Sequence, residues 1–171
     1  MTIEILTPAS AAQHLPDLIA LLCDTVESGA AVGFMAPFSA SEAQSYWQKV
    51  IADLSGRSRL LLAEIIENRV AGSLQLELAM RTNGLHRAEV QKVMVHRDFR
   101  GRGIATRLMG AVEAAARQDG RSLLVLDTRQ GDIAKGMYRK LGYVEAGIIP
   151  QYARSSSGEL HSTVIFYKLL S

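Results

Sequence analysis

The segment Val93-Met94-Val95-His96-Arg97-Asp98-Phe99-Arg100-Gly101-Arg102-Gly103-Ile104-Ala105-Thr106 gathers the residue types most able to do chemistry in this chain. It reads as a strand, a turn dense in arginine and glycine, and the start of a helix. The first N–H groups of a helix have no intrahelical partner and sit at the positive end of its dipole, so they attract an anion. Gly101 and Gly103 lack the Cβ atoms that would hold a phosphate away, and Arg97, Arg100, Arg102 and Arg107 add full charges nearby. The alternative is a solvated basic turn before an ordinary helix. The strand on one side and the helix on the other favour an anion cradle.

Two other phosphate-binding turns fit less well. A P-loop needs Gly-x-x-x-x-Gly-Lys-Ser/Thr, and no such string occurs. A dinucleotide-binding turn needs a third small residue where Thr106 stands, within a βαβ unit near the N-terminus. Metal chemistry is not expected, because Cys23 is the only cysteine and the four histidines (His14, His86, His96, His161) lack ligand spacing. Nineteen Lys and Arg against 17 Asp and Glu leave a net charge of +2, too little for a general nucleic-acid binder. No apolar run is long enough to cross a bilayer, and Met1 to Ile5 do not have the pattern of a secretory signal, so a cytoplasmic setting without a membrane partner is expected.

The elements that must position the cradle follow from periodicity. At 171 residues and 48% hydrophobic composition, the chain is expected to form one domain over residues 1–171. Leu15, Leu18, Ile19, Leu22 and Val26 mark an amphipathic helix with Pro16 in its first turn. Ser39 to Glu42 has capping-box spacing before a helix with Trp47, Val50, Ile51 and Leu54 on its buried stripe. The apolar, glycine-bearing stretch between them, Gly29 to Phe38, is either a satellite of the core or a lid on a ligand. Leu60 to Ile66 and the alternating Leu74, Leu76 and Leu78 spell a hairpin around Glu67-Asn68-Arg69, and a further strand runs from Ala88 to Val95. A helix from Ile104 to about Asp119, the apolar strand Leu123 to Leu126, a short helix closed by Gly142 and two final strands complete the chain. The order β-α-α-β-β-β-α-β-α-β-β predicts a mixed α/β fold, a sheet of about seven strands flanked by about four helices.

Arg100-Gly101-Arg102-Gly103-Ile104-Ala105 resembles the Gln/Arg-x-x-Gly-x-Gly/Ala pattern of the GNAT N-acetyltransferases, and the order of elements resembles their fold over nearly the whole chain. The resemblance implies acetyl-CoA as cosubstrate and a sheet splayed between strands 4 and 5. Its pyrophosphate would lie on backbone amides from Arg102 to Thr106, next to Arg100 and Gly101, and its pantetheine arm along the backbone of Val93, Met94 and Val95. Ala134-Lys135-Gly136-Met137-Tyr138-Arg139-Lys140-Leu141-Gly142-Tyr143 is similar to the family's Ala-x-x-x-Tyr-x-x-x-Gly-aromatic segment, which makes Tyr138 the candidate general acid for the leaving thiolate. Core packing is the plainer role for that ring. Many relatives place Asn seven residues before this Tyr, where this chain has Gly131; the neighbouring Asp132 reads as a helix cap.

An amine with a lysine-like pKa near 10.4 is only about one part in a thousand neutral at pH 7, so a base is useful. Two carboxylates are candidates: Glu89, on the strand leading to Val95 and on the same face as Gln91, and Asp127, which ends the apolar strand where the splay would open onto the acetyl group. Their plainer roles are a paired surface carboxylate and a turn cap. Thr25 to Ala36, Arg87 to Val95 and Gly158 to His161 further resemble the tabtoxin-resistance acetyltransferases, in which the residues matching Glu89, Asp127 and Tyr138 are the proposed acid/base groups. Phe34, Met35, Asn83, His86 and His161, together with Tyr152, are the expected acceptor contacts. The resulting expectation is acetyl transfer from acetyl-CoA to the primary amine of a small amino-acid-like molecule, such as a β-lactam amino-acid toxin, by a monomer or a homodimer. A protein N-terminal or lysine acetyltransferase and a non-catalytic CoA-binding module are the alternatives.

Overall fold

The computed structural model describes residues 2–170. The order is β1 (Thr2–Ile5), α1 (Pro8–Gln13), α2 (Leu15–Glu27), α3 (Ala40–Leu54), β2 (Arg59–Ile66), β3 (Arg69–Leu78), β4 (Arg87–Val95), α4 (Ile104–Gln118), β5 (Leu123–Arg129), α5 (Ala134–Lys140), β6 (Val144–Arg154) and β7 (Leu160–Leu169). The strands form one sheet in the order β1-β2-β3-β4-β5-β7-β6. Every neighbouring pair is antiparallel except β4 and β5, which run parallel. The mixed α/β sheet expected from periodicity is therefore present. The short α1 was not anticipated: six residues are too few for a periodic stripe, and its signal is the capping box that Thr7 forms with Ser10 ahead of Pro8.

Each face of the sheet buries its own apolar layer. Leu108, Met109 and Val112 of α4 and Tyr138 of α5 pack with Leu74, Leu76, Leu124 and Phe166 on one face. Leu18, Leu21 and Leu22 of α2 and Trp47 and Val50 of α3 pack with Leu61, Ala63 and Met94 on the other. Central β3 is covered on both sides, so even Gln75 is fully buried, where it donates to the Tyr46 hydroxyl at 2.8 Å and accepts from Arg59 at 2.5 Å.

Two irregularities in β4 shape the middle of the sheet. β4 pairs with β5 only at Arg87, Ala88 and Glu89, after which the parallel ladder stops. Against β3, Ser73 faces Met94 but Gln75 faces Gln91, so β4 carries one extra residue there, and Lys92 takes the left-handed φ of 52°. The side-chain alternation inverts across this bulge. Ala88 and Val90 belong to the α4 layer, whereas beyond Lys92 it is Val93 and Val95 that pack there and Met94 that enters the α2/α3 layer.

Gly72 lets β3, β4 and the first turn of α4 approach closely. A Cβ at this position would stand 2.8 Å from the Met94 carbonyl oxygen and 2.9 Å from Ile104 Cγ2. Gly72→Val is expected to cost about 1–3 kcal/mol of stability through overpacking, read as a lower urea midpoint at unchanged slope.

Candidate active site

The cradle is built as its sequence suggests, but its arginines are already engaged. Gly101 and Gly103 hold left-handed φ values of 76° and 73°, and Gly103 starts the 15-residue α4 with no side-chain cap on its N-terminal N–H groups. The space beside Gly101 is open. The four arginines expected to add charge nearby are each held by contacts within the protein. Arg97 pairs through Nε with Asp24 Oδ1 and at 3.3 Å with Glu27; Arg100 donates to the Val95 carbonyl at 3.1 Å and to Ser28 Oγ at 3.0 Å. Arg102 donates to the Asp98 carbonyl at 3.1 Å, and Arg107 pairs at 2.6 Å with Glu64, which is fully buried. Besides the N–H donors these contacts leave over, the groups able to meet an anion are backbone amides at the positive end of a helix.

Asp24, only 6% exposed, ties the cradle to the end of α2. Its Oδ2 accepts the Arg97 backbone N–H at 3.0 Å and lies 3.5 Å from Arg100 Nη2. Burial works against its ionised form, but the hydrogen bonds from Arg97 and the charges of His96 and Arg97 outweigh it and hold the carboxyl below its ordinary value.

Where β4 and β5 part, a cavity of about 800 Å³ opens. It brings together Glu89 and Asp127 with Tyr138, Phe34, Met35, Val93 and His161, all of them expected from sequence. Glu89 is the last β4 residue paired to β5 and accepts from Gln91 Nε2 at 2.9 Å. Asp127 stands two residues past Val125, the Glu89 partner, and accepts from Thr163 Oγ1 at 2.6 Å. Both carboxylates are exposed to the cavity solvent. Tyr138 is 5% exposed, packed edge-on against Tyr143 with ring centroids 6.0 Å apart, and it also lines the cavity. Burial, with the negative charges of Asp132 and Asp127, raises its phenol well above the ordinary value, so the hydroxyl keeps its proton. Asp132 accepts from the Ala134 N–H at 2.9 Å, the capping role read from sequence.

The segment from Gly29 to Phe38 is both anchored in the core and placed along the cavity. Val32 is buried, and Phe34 meets Phe38 and Tyr46 at centroid distances of 4.8 and 5.1 Å. Gly29 to Met35 line the cavity, and the Ala36 N–H donates to Ser156 Oγ at 2.8 Å, joining this loop to the β6–β7 loop.

Asn83 and His86 do not reach this cavity. They line a separate cleft of about 610 Å³ with Arg59, Glu77 and Arg87. The reason is strand direction: both precede β4, and at about 3.3 Å per residue His86 lies roughly 10 Å of strand before Glu89. Met94, expected to offer its backbone, buries its side chain in the α2/α3 layer. Sequence reasoning missed Lys92, Arg129 and Arg154, which also line the main cavity. A lysine set within Val90 to Val95 was the available signal, hidden because strict alternation puts it on the α4 side. Among the described residues no group of three or more His, Cys, Asp or Glu could hold a metal ion, and no helix is long and apolar enough to cross a membrane.

Residues 23–143 match the family model of the acetyltransferase (GNAT) family. The chain belongs to this family. An uncharacterized N-acetyltransferase of Azospirillum brasilense is 33% identical over 118 residues, which is 68% of each chain. Among solved structures, a ribosomal-protein-alanine N-acetyltransferase from Brucella melitensis superposes with a TM-score of 0.81 at 22% identity, over 99% of this chain and 100% of that one. A Salmonella typhimurium protein solved with its cofactor acetyl-CoA gives 0.79 at 17% identity, over 100% and 94%. These two structures share their fold with this chain.

The Asp24 contacts make a pH prediction. The folded carboxyl titrates below its unfolded value of about 3.9, so its stabilisation is complete above that pH and is lost as the pH falls through the lower folded value. In urea unfolding the wild type is expected to exceed Asp24→Asn in stability at neutral pH, with the gap closing below about pH 4.

Proposed function

We propose that this GNAT acetyltransferase transfers the acetyl group of acetyl-CoA directly to a primary amine of a small amino-acid-like molecule. The observation that carries the reading is the parting of β4 from β5 after Glu89: a cavity there takes in Glu89, Asp127 and the protonated phenol of Tyr138, while β4 runs on toward the uncapped N-terminus of α4. Acetyl-CoA supplies the activated acetyl thioester. Its pyrophosphate fits the amides from Gly101 to Thr106, where two left-handed glycines and open space at Gly101 admit it. The pantetheine arm fits the β4 backbone from Val93 to Val95, which has no partner strand on the β5 side. Glu89 and Asp127 accept the proton of the incoming ammonium, directly or through water, and Tyr138 gives its proton to the departing sulfur.

The hydrogen bond from Ala36 to Ser156, which ties the two cavity-lining loops together, supports a small acceptor over a protein segment. The stretches that resemble tabtoxin-resistance enzymes supply Val26, Gly29 to Met35, Glu89 to Val93 and His161 to the cavity, which supports an amino-acid-like amine.

Release of free CoA thiol across amino acids, β-lactam amino-acid toxins, polyamines, aminoglycosides and short peptides tests the proposal. Turnover on an amino-acid-like amine is expected, with Tyr138→Phe lowering kcat by about 10²–10⁴ and leaving CoA affinity nearly unchanged. Turnover on peptides alone would point to a protein acetyltransferase, and CoA binding without transfer would point to a non-catalytic module. Gly103→Val puts a β-branched residue at φ 73°, 3.3 Å from Arg107 Nη1. Calorimetry is expected to show CoA affinity reduced by about tenfold or more in this variant.

A further inference from the structure

We propose that Lys92, in a cavity whose lining also carries Arg129 and Arg154, forms an anion subsite that binds a carboxylate of the acceptor and so selects amines bearing an acidic group. This inference rests on the acetyl-transfer reading and assigns the part of the cavity that transfer itself does not use.

The bulge in β4 turns Lys92 into the cavity instead of the α4 layer, with Nζ 5.8 Å from the Phe34 ring centroid. Its ammonium makes no hydrogen bond and no ion pair with any described residue. The charges that act on it, Arg59, Asp127, Glu89 and Glu77, all lie beyond ion-pair distance. An ammonium partly withdrawn from water, with an aromatic ring face but no anion beside it, is less favourable than a paired one, and an arriving anion offsets that penalty. Burial accordingly lowers its pKa. Arg129 and Arg154 spend one N–H each on backbone carbonyls, Gly29 at 3.5 Å and Gly158 at 3.3 Å, and neither meets a carboxylate. A guanidinium has five N–H donors, so most of theirs remain for a ligand. The cavity lining thus carries these three cations together with Glu89, Asp127 and Asp132. This balance suits a zwitterion, its amine at the carboxylates where the strands part and its acid group at the cations.

The test compares L-methionine, L-lysine and L-phenylalanine with their carboxamides, which keep the amine and remove the negative charge. For wild type the acid is expected to exceed the amide in kcat/KM by about 10- to 100-fold, mostly through KM. That ratio is expected to fall to about one in Lys92→Met and to persist in Lys92→Arg. Equal use of acid and amide by the wild type, or an unchanged ratio in Lys92→Met, overturns the subsite while leaving acetyl transfer standing. If none of the six compounds is acetylated, calorimetry on the CoA-loaded protein decides. Lys92-dependent binding of acid over amide upholds the subsite although the transfer reading fails for these amines. Equal binding of the two, or no binding of the acids, overturns the subsite.

Discussion

The structure depends on a ladder that stops. β4 and β5 are neighbours in the middle of a seven-stranded sheet, yet they exchange parallel pairing over only three residues. Backbone N–H and C=O groups in such a place need partners, and the gap leaves a row of them facing a cleft instead of a strand. One extra residue in β4 enlarges the effect, because it reverses which side chains point to which layer. The opening, the carboxylates at its mouth and the inward lysine all follow from those two departures from regular pairing. The sheet continues on both sides of the gap, through β1 to β4 and through β5, β7 and β6, so the gap is held open by paired and packed neighbours.

Electrostatics then fixes the loop beside the gap. Asp24, Glu27 and Ser28 at the end of α2 hold Arg97 and Arg100 of the turn before α4, while Glu64 of β2 holds Arg107. Charged side chains that look like ligand contacts in the sequence are here the struts of the turn. Pinning them holds the turn in place, so its backbone amides would lose little entropy in meeting an anion. The same end of α2 leads directly into the Gly29 to Phe38 loop, so the cradle and the acceptor cavity share one anchor.

Much of the fold was legible because its signals are local. The capping box at Ser39, the Glu67-Asn68-Arg69 turn and the stop at Gly142 each depend on a few adjacent residues, and each is found where the sequence places it. Glu89, Asp127 and Tyr138 come from three distant elements, and it was the order of elements and the family resemblance that predicted they would meet. The errors arose where contacts are non-local. Nothing adjacent to Arg100 reveals that Asp24 lies 76 residues away in sequence and within reach in space. Asn83 and His86 were polar and near Glu89 in sequence, but a strand carries them away from the cavity. Lys92 was hidden by a bulge, which breaks the period on which strand faces are assigned.

The central claim is that CoA lies in the gap between β4 and β5 with its pyrophosphate on the start of α4. Titrating CoA into the isotope-labelled protein and following backbone amide resonances by NMR tests it most directly. The account predicts saturable shifts at Val93, Val95 and Gly101 to Thr106, with the Asn83 to Arg87 cleft unaffected. Saturable shifts confined to that second cleft, or none at the start of α4, would contradict it.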